Sequence, residues 1–211
     1  MDIALFIKAL GGFFAIMNPF LVLPLFLSLT ESDTAAEQRK QAAKIAIYSA
    51  IFCAVILLGG QAALSLFGIS VDDFRVAGGI VLMMIALGML NGTGSTAHTG
   101  TPAEQSSQRK VDDVSFYPMT FPMIVGPGTI TTLIVFAGQA KDAAGWMAVG
   151  LALAIVLIAM AIVLWFAGAI GRHMSQTLRT IMTRLMGMIL AAIAIEMIAA
   201  GAKALFPGLA G

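Results

Sequence analysis

From Ala9 to Thr30 the chain carries no charged residue, and five more stretches of similar character follow. Ile45–Phe67 carries none, Phe74–Asn91 is apolar after Arg75, and Val114–Ala140 and Ala143–Gly171 are uncharged throughout. Met182–Ala202 holds Arg184 near its start and Glu196 inside it. A helix spanning a bilayer needs about 20 mostly apolar residues. Six such runs predict an all-α membrane protein with six transmembrane helices. A soluble alternative fails on charge: only 11% of residues are charged, against about 25% in an ordinary soluble domain. Lipid is the solvent that such a surface requires.

The first run has no short apolar core ending in a small-residue cleavage site, so it is expected to stay as the first helix. The net charge of +1 offers no field for nucleic acid. The single cysteine, Cys53, sits in an apolar run and reads as a small buried hydrophobe. His98 and His173 have no partners at metal spacing. Neither a metal nor a cofactor is expected.

Most connections are short: Thr30–Lys44, Gly68–Asp73, Lys141–Asp142 and Arg172–Thr180. Gly92–Ser115, rich in Gly, Ser, Thr and charge, is the exception. Assigning connections to alternate sides puts Arg39, Lys40, Lys44, Arg109, Lys110, Arg172, Arg179 and Arg184 on one side. Lys8, Arg75, Lys141 and Lys203 fall on the other. The basic excess marks the cytoplasmic side. Both termini then face outward and the long loop lies inside.

Two landmarks recur at nearly one spacing. Asn18-Pro19-Phe20 lies midway along the first span, and Gly126-Pro127-Gly128 midway along the fourth, 108 positions later. Arg75-x-x-Gly78 opens the third span, and Arg184-x-x-Gly187 opens the sixth, 109 positions later. The long loop divides the halves. Residues 1–91 are therefore expected to form a first three-helix repeat, 92–115 a cytoplasmic linker, and 116–211 a second repeat. Together they make one membrane domain. Three spans per half force opposite orientations on the two halves, which is the inverted-repeat architecture of many secondary transporters.

Prolines fall where that repeat needs them. Pro19 and Pro24 lie in the first span, and Pro118, Pro122 and Pro127 in the fourth. Proline removes a backbone donor and clashes with the preceding turn. The freed groups are tolerated in a membrane only where they face protein or a cavity. A half-helix N-terminus suits a carboxylate, and free carbonyls suit an ammonium. The expected solute-binding set is Asn18, Pro19, Phe20, Thr120, Gly126, Pro127, Gly128, Thr129 and Thr132, with Thr131 nearby. A zwitterion such as an amino acid fits both ends of that set. Simple kinks that aid packing are the competing reading. Glu196, about 9 Å from the end of its span at 1.5 Å per residue, is a candidate proton carrier or an interface residue. Arg75 and Arg184 are candidate gates, with Asp72, Asp73 or a carbonyl as partner, or else interface anchors. Trp146 and Trp165 read as interface anchors.

The N-P-F then P of the first span, the P-x-x-x-P-x-x-x-G-P-G-T of Pro118–Thr129 and the R-x-x-G-G of Arg75–Gly79 together resemble the MarC family. The resemblance spans essentially the whole chain. More distantly, the family is similar to the amino-acid exporters that include the lysine exporter. The resemblance implies a bacterial inner-membrane protein with six helices and both termini periplasmic. It also implies movement of small neutral amino acids such as alanine and glycine. It carries Asn18, Pro19, Gly126, Pro127, Gly128 and Thr129 over as central residues.

The functional expectation is a secondary transporter of a small polar solute by alternating access. A non-transporting structural or regulatory subunit, or an exporter of other small molecules, is the alternative. No G-x-x-x-x-G-K-[ST] loop supplies ATP energy. No H-E-x-x-H or nucleophile–base pattern points to an enzyme. A proton or sodium ion for coupling, the lipid bilayer and a second copy of the chain are compatible partners.

Overall fold

The computed structural model describes residues 1–30, 33–92, 113–173, 175–206 and 208. The linker expected at 92–115 lies outside them except at its two ends, as do His98, Arg109 and Lys110. The side chains of Arg172, His173 and Arg179 lie outside the described set as well.

Every regular element described is helical: α1 (Ile3–Met17), α2 (Pro19–Leu29), α3 (Ala35–Leu66), α4 (Val71–Asn91), α5 (Ser115–Ile124), α6 (Pro127–Gln139), α7 (Ala143–Trp165), α8 (Ala167–His173) and α9 (Gln176–Leu205). With α1 and α2 taken together, 5 helices are long and apolar enough to cross a membrane. A sixth results if α5 and α6, bent by 58° at their junction, form one span.

Several helices begin before their apolar runs, because polar caps carry them outside the lipid. Thr34 and Glu37 form a reciprocal capping box at the start of α3. The Thr34 N–H donates to Glu37 Oε2 at 2.8 Å, and the Glu37 N–H donates to Thr34 Oγ1 at 3.3 Å. Ser70 and Asp73 do the same for α4. Each box satisfies two N–H groups of the first turn. The fifth apolar run breaks at Phe166, so α7 stops at Trp165 and the short α8 follows.

Large apolar side chains point outward in stripes. Ile47, Ile51, Val55 and Leu58 of α3 are exposed, as are Met147, Leu151, Ile155, Ile158 and Ile162 of α7. Each set recurs every three to four residues, along one face of a helix. Such continuous stripes meet lipid tails without cost and would be insoluble in water.

The inside is held by close helix approach. α4 and α9 run antiparallel, and glycines let their backbones touch. A Cβ on Gly79 would lie 3.0 Å from the Ala194 carbonyl oxygen, and one on Gly187 would lie 3.2 Å from that of Ala86. Further along, a Cβ on Gly201 would lie 2.9 Å from the Asp72 carbonyl oxygen. Small residues at such crossings allow the dispersion contacts that drive association in lipid. α1 packs on α6 through Phe13 and Phe136, edge to face at 5.4 Å.

Charges gather at the two ends. Asp113, where the chain re-enters the bundle, pairs with Lys44 near the start of α3. Lys44 and Ser115 together hold the Asp113 carboxyl down at about 2. The Arg39 guanidinium lies over the Trp165 ring, 5.9 Å from its centre, at the same end. At the other end Lys8 pairs with Glu196, and Arg75 pairs with Asp72 at 2.6 Å.

Gly79→Leu is expected to lower the thermal stability of the detergent-solubilised protein, at a cost of about 1–3 kcal/mol for overpacking. Gly59→Ala, whose added Cβ would meet nothing within 4 Å, is expected to leave it unchanged or higher. Melting curves followed by size-exclusion chromatography decide. Equal melting of Gly79→Leu and the parent would refute the close-approach account.

Candidate functional site

Asn18 interrupts the first span at a position where the following proline disfavours the right-handed helical region. It adopts φ 31°, ψ 86° instead, a left-handed geometry that Asn tolerates better than most. It then serves both half-helices. Its N–H donates to the Phe14 carbonyl at 3.0 Å, closing α1, and its carbonyl accepts from Leu21 and Val22, opening α2. The side-chain Oδ1 accepts the Phe20 N–H at 3.2 Å. Pro19 occupies the first position of α2, where the missing donor costs least. Asn18 is 2% exposed, and its Nδ2 is buried without a partner.

The second interruption is longer. Tyr117 and Phe121, each before a proline, both take extended backbone angles inside α5. Pro118 has no N–H for the Val114 carbonyl, so the Met119 N–H takes it at 3.2 Å. The helix is thereby widened to an i to i+5 spacing, and the Ser115 carbonyl also accepts the Thr120 hydroxyl at 2.7 Å. One turn on, the Val125 N–H reaches back to the Thr120 carbonyl. The Ile124 carbonyl accepts the Thr129 hydroxyl at 2.7 Å. Thr132 donates to the Gly128 carbonyl at 2.8 Å. Gly126 caps α6 without a side chain, and Pro127 again takes the first helical position.

The two interruptions meet. A Cβ on Gly128 would lie 2.6 Å from Ile16 Cδ1 and 3.0 Å from Ile85 Cδ1. Gly128 thus seats directly on the turn that leads into Asn18. Phe20 packs its ring edge to face with Phe14 at 6.4 Å. Thr120, Thr129, Thr131 and Thr132 are all buried.

Two cavities open at opposite ends of the α4–α9 pair. The first, about 220 Å³, is lined by Lys8, Arg75, Thr132, Gln139, Glu196 and Met197 among others. The second, about 210 Å³, is lined by Leu21, Gly88, Met89, Gly92, Thr183 and Arg184 among others. Neither is lined by Asn18 or by Gly126–Thr129. Asn18, Gly126, Gly128 and Thr129 are buried, while Phe121 and Pro127 are exposed.

A model of the "MarC family integral membrane protein" matches residues 3–206. The chain belongs to the MarC family. It is 36% identical to the UPF0056 membrane protein YvbG of Bacillus subtilis, covering 92% of each chain. A UPF0056 membrane protein of Methanocaldococcus jannaschii is 34% identical, over 96% of this chain and 98% of its own. YhcE of Escherichia coli, another UPF0056 membrane protein, is 32% identical over 99% of this chain and 96% of its own. No solved structure matches.

In this MarC-family chain the expected residues fall into three groups. Asn18, Pro19, Phe20, Thr120, Gly126, Pro127, Gly128 and Thr129 lie at the paired interruptions. Arg75, Glu196 and Thr132 come together in the first cavity. Arg184 stands apart in the second. Arg75 takes Asp72 as its partner, one of those expected, while Asp73 is used in the Ser70 cap. Lys8 as the partner of Glu196 was missed, and so was Gln139. The charge count already set Lys8 on the outward side, and the depths of Lys8 and Glu196 in their spans would have allowed the match.

Thr129→Val is expected to destabilise the protein by about 1–3 kcal/mol, because it strands the buried Ile124 carbonyl. Thr129→Ser is expected to be nearly neutral. Thermal melting of both variants in the same detergent checks this. Equal stabilities would show that the hydroxyl does not hold the interruption together.

Proposed function

We propose that this integral membrane protein is a secondary transporter of a small neutral amino acid such as alanine or glycine, working by alternating access between two inverted repeats. The observation that carries the reading is the relation between the two cavities. Glu196, Met197 and Ala200 line the first. Gly88, Met89 and Gly92, each 108 positions earlier, line the second. Arg75 belongs to the first and Arg184, 109 positions later, to the second. The helix contact between them has the same symmetry. Gly79 meets the Ala194 carbonyl and Gly187 meets that of Ala86. Gly79 and Gly187 are 108 positions apart, as are Ala86 and Ala194. Contacts that exchange in this way are the mark of a two-fold axis. An axis in the membrane plane relates inverted repeats, with one vestibule toward each side.

In this reading the cavities are the two ends of one path, and the interruptions at Asn18 and Gly126–Thr129 are the closed gate between them. Rocking one repeat against the other opens the packed surface between Ile16 and Gly128, and the freed peptide groups with Asn18 Nδ2 receive the solute. Glu196 carries the coupling proton, faced across the cavity by Lys8 from α1, Arg75 from α4 and Gln139 from α6, with Asp72 paired to Arg75 behind them. The protein sits in a bacterial inner membrane with the first cavity and both termini on the periplasmic side. A second reading, a packing or regulatory subunit, draws on the tight seating of Gly128 against Ile16 and Ile85.

Counterflow of labelled alanine and glycine in proteoliposomes separates these readings. Uptake against preloaded substrate is expected, and its absence with folded protein would leave the packing role. In a Cys53→Ala background, Ala200→Cys is expected to react with a membrane-impermeant thiol reagent from the periplasmic side and Thr183→Cys from the cytoplasmic side. Added alanine should shift the two rates in opposite directions. Glu196→Gln is expected to flatten the pH dependence of uptake; an unaltered profile would assign coupling elsewhere, with sodium as the next ion to vary.

A further inference from the structure

Three charged side chains line the first cavity, Lys8, Arg75 and Glu196, and Asp72 pairs with Arg75 from outside the lining. Arg75 gives one Nη1 bond to Asp72 Oδ1 at 2.6 Å, while its Nε is buried with no acceptor. The side chain is only 16% exposed. A guanidinium engaged at one Nη1 keeps its Nε edge free for an approaching oxygen pair, and that flat fork matches a carboxylate. A buried donor without an acceptor is costly, which is itself a reason to expect a guest there. Across the cavity Glu196 is held by Lys8, both about half exposed. Lys8 presents an ammonium on a flexible stem that can swing to water. A guest ammonium can therefore replace it on Glu196 without changing the chemistry of the contact.

Charge decides the class of guest. Asp72 neutralises Arg75 from behind the lining and Lys8 neutralises Glu196, so the two pairs sum to zero; a neutral zwitterion keeps that balance, and an anion or a cation alone does not. In a low-dielectric pocket an uncompensated charge is expensive. The remaining walls include Ile7, Val135, Phe136 and Ile193, which favour an apolar side chain. A six-carbon ring fits a cavity of about 150 Å³, so the 220 Å³ available here suits a guest a little larger than that.

We propose that this cavity is a binding site for a zwitterionic amino acid with a small branched apolar side chain, its carboxylate on Arg75 and its ammonium on Glu196. The proposal deepens the transport reading and rests on it for the solute's passage through the bundle. The equivalent cavity offers Arg184, but position 88, which corresponds to Glu196, is glycine. Among the described residues the guest's ammonium therefore has an acidic partner at one end only.

Calorimetric titration of the full chain in detergent micelles tests it, with L-valine, isobutylamine and 3-methylbutanoate as probes. Valine is expected to bind, and the other two, which lack one of the charged groups, at least about tenfold more weakly, the worth of one charge-assisted contact. Arg75→Gln and Glu196→Gln are each expected to lose a similar factor, with Arg75→Lys intermediate because it keeps charge without the fork. Ile193→Trp fills the cavity and leaves every ion pair in place, so it should abolish binding even if the charge variants fail to fold. Valine binding unchanged in folded Arg75→Gln or in Ile193→Trp overturns the site, as does equal binding of all three probes or binding of none. The transport reading fails separately. Valine binding with these dependences but no counterflow of any amino acid keeps the site and removes the transporter. Counterflow that is indifferent to Arg75→Gln keeps the transporter and removes the site.

Discussion

In hydrocarbon there is no water to take up a peptide group that a helix has released, and this constraint shapes the whole bundle. Five prolines fall within the first and fourth apolar stretches, and those inside helices, Pro24, Pro118 and Pro122, cannot donate to the preceding turn. The chain answers with side chains at fixed offsets. The hydroxyls of Thr120 and Thr129 each reach back five residues to a carbonyl. Asn18 closes one half-helix and opens the next with its own backbone and Oδ1. Because these repairs are local, Asn18, Gly128 and Thr129 can be buried, and burial lets Gly128 seat against Ile16. The repair leaves Asn18 Nδ2 unpaired, so the hydrogen-bonding capacity of the interruption is nearly, but not fully, consumed by the fold.

The second determinant is the glycine contact between α4 and α9. In water, apolar faces would drive these helices together; in lipid the tails are equally apolar, and association depends on how closely the backbones approach. Gly79 and Gly187 supply that approach at two points that exchange under one offset. The antiparallel register they fix carries Arg75 to one end of the pair and Arg184 to the other. The two cavities lie beside those arginines, one at each end of the pair.

The spans were legible because lipid demands uncharged runs of a set length, and the interruptions were legible because proline has few tolerated uses inside a helix. Helix ends were less so: Thr34–Glu37 and Ser70–Asp73 read as loop by polarity, yet their capping boxes extend α3 and α4 beyond the apolar core. The threonines of the fourth span stood out as polar groups in an apolar stretch, but spacing alone does not say whether a hydroxyl faces a solute or the chain's own carbonyl. In this conformation Thr120, Thr129 and Thr132 face carbonyls. The Lys8–Glu196 pair was hidden for a different reason. It joins residues 188 positions apart, and no local period encodes which face of one helix meets which face of another.

Symmetry of position does not bring symmetry of charge. At the offset that relates the two cavities, Glu196 corresponds to Gly88, and Lys8 to Phe116. An ion pair at one end is thus replaced by a glycine and an aromatic ring at the other. That ring packs against Tyr48 and Phe52, and so belongs to the apolar wall of the bundle. Both arginines remain, so either end can meet an anionic group, but only one end holds an acid beside it among the described residues. On the proposed reading, a guest with both charges would be held by two contacts at one end and by one at the other. For a path with two equivalent ends that difference in affinity cannot by itself drive net flow, because it lowers the free energy of one bound state and not of the solute on either side. On the proposed reading it would set which bound state is populated at rest, and Glu196 would lie at the end where the guest is held more tightly.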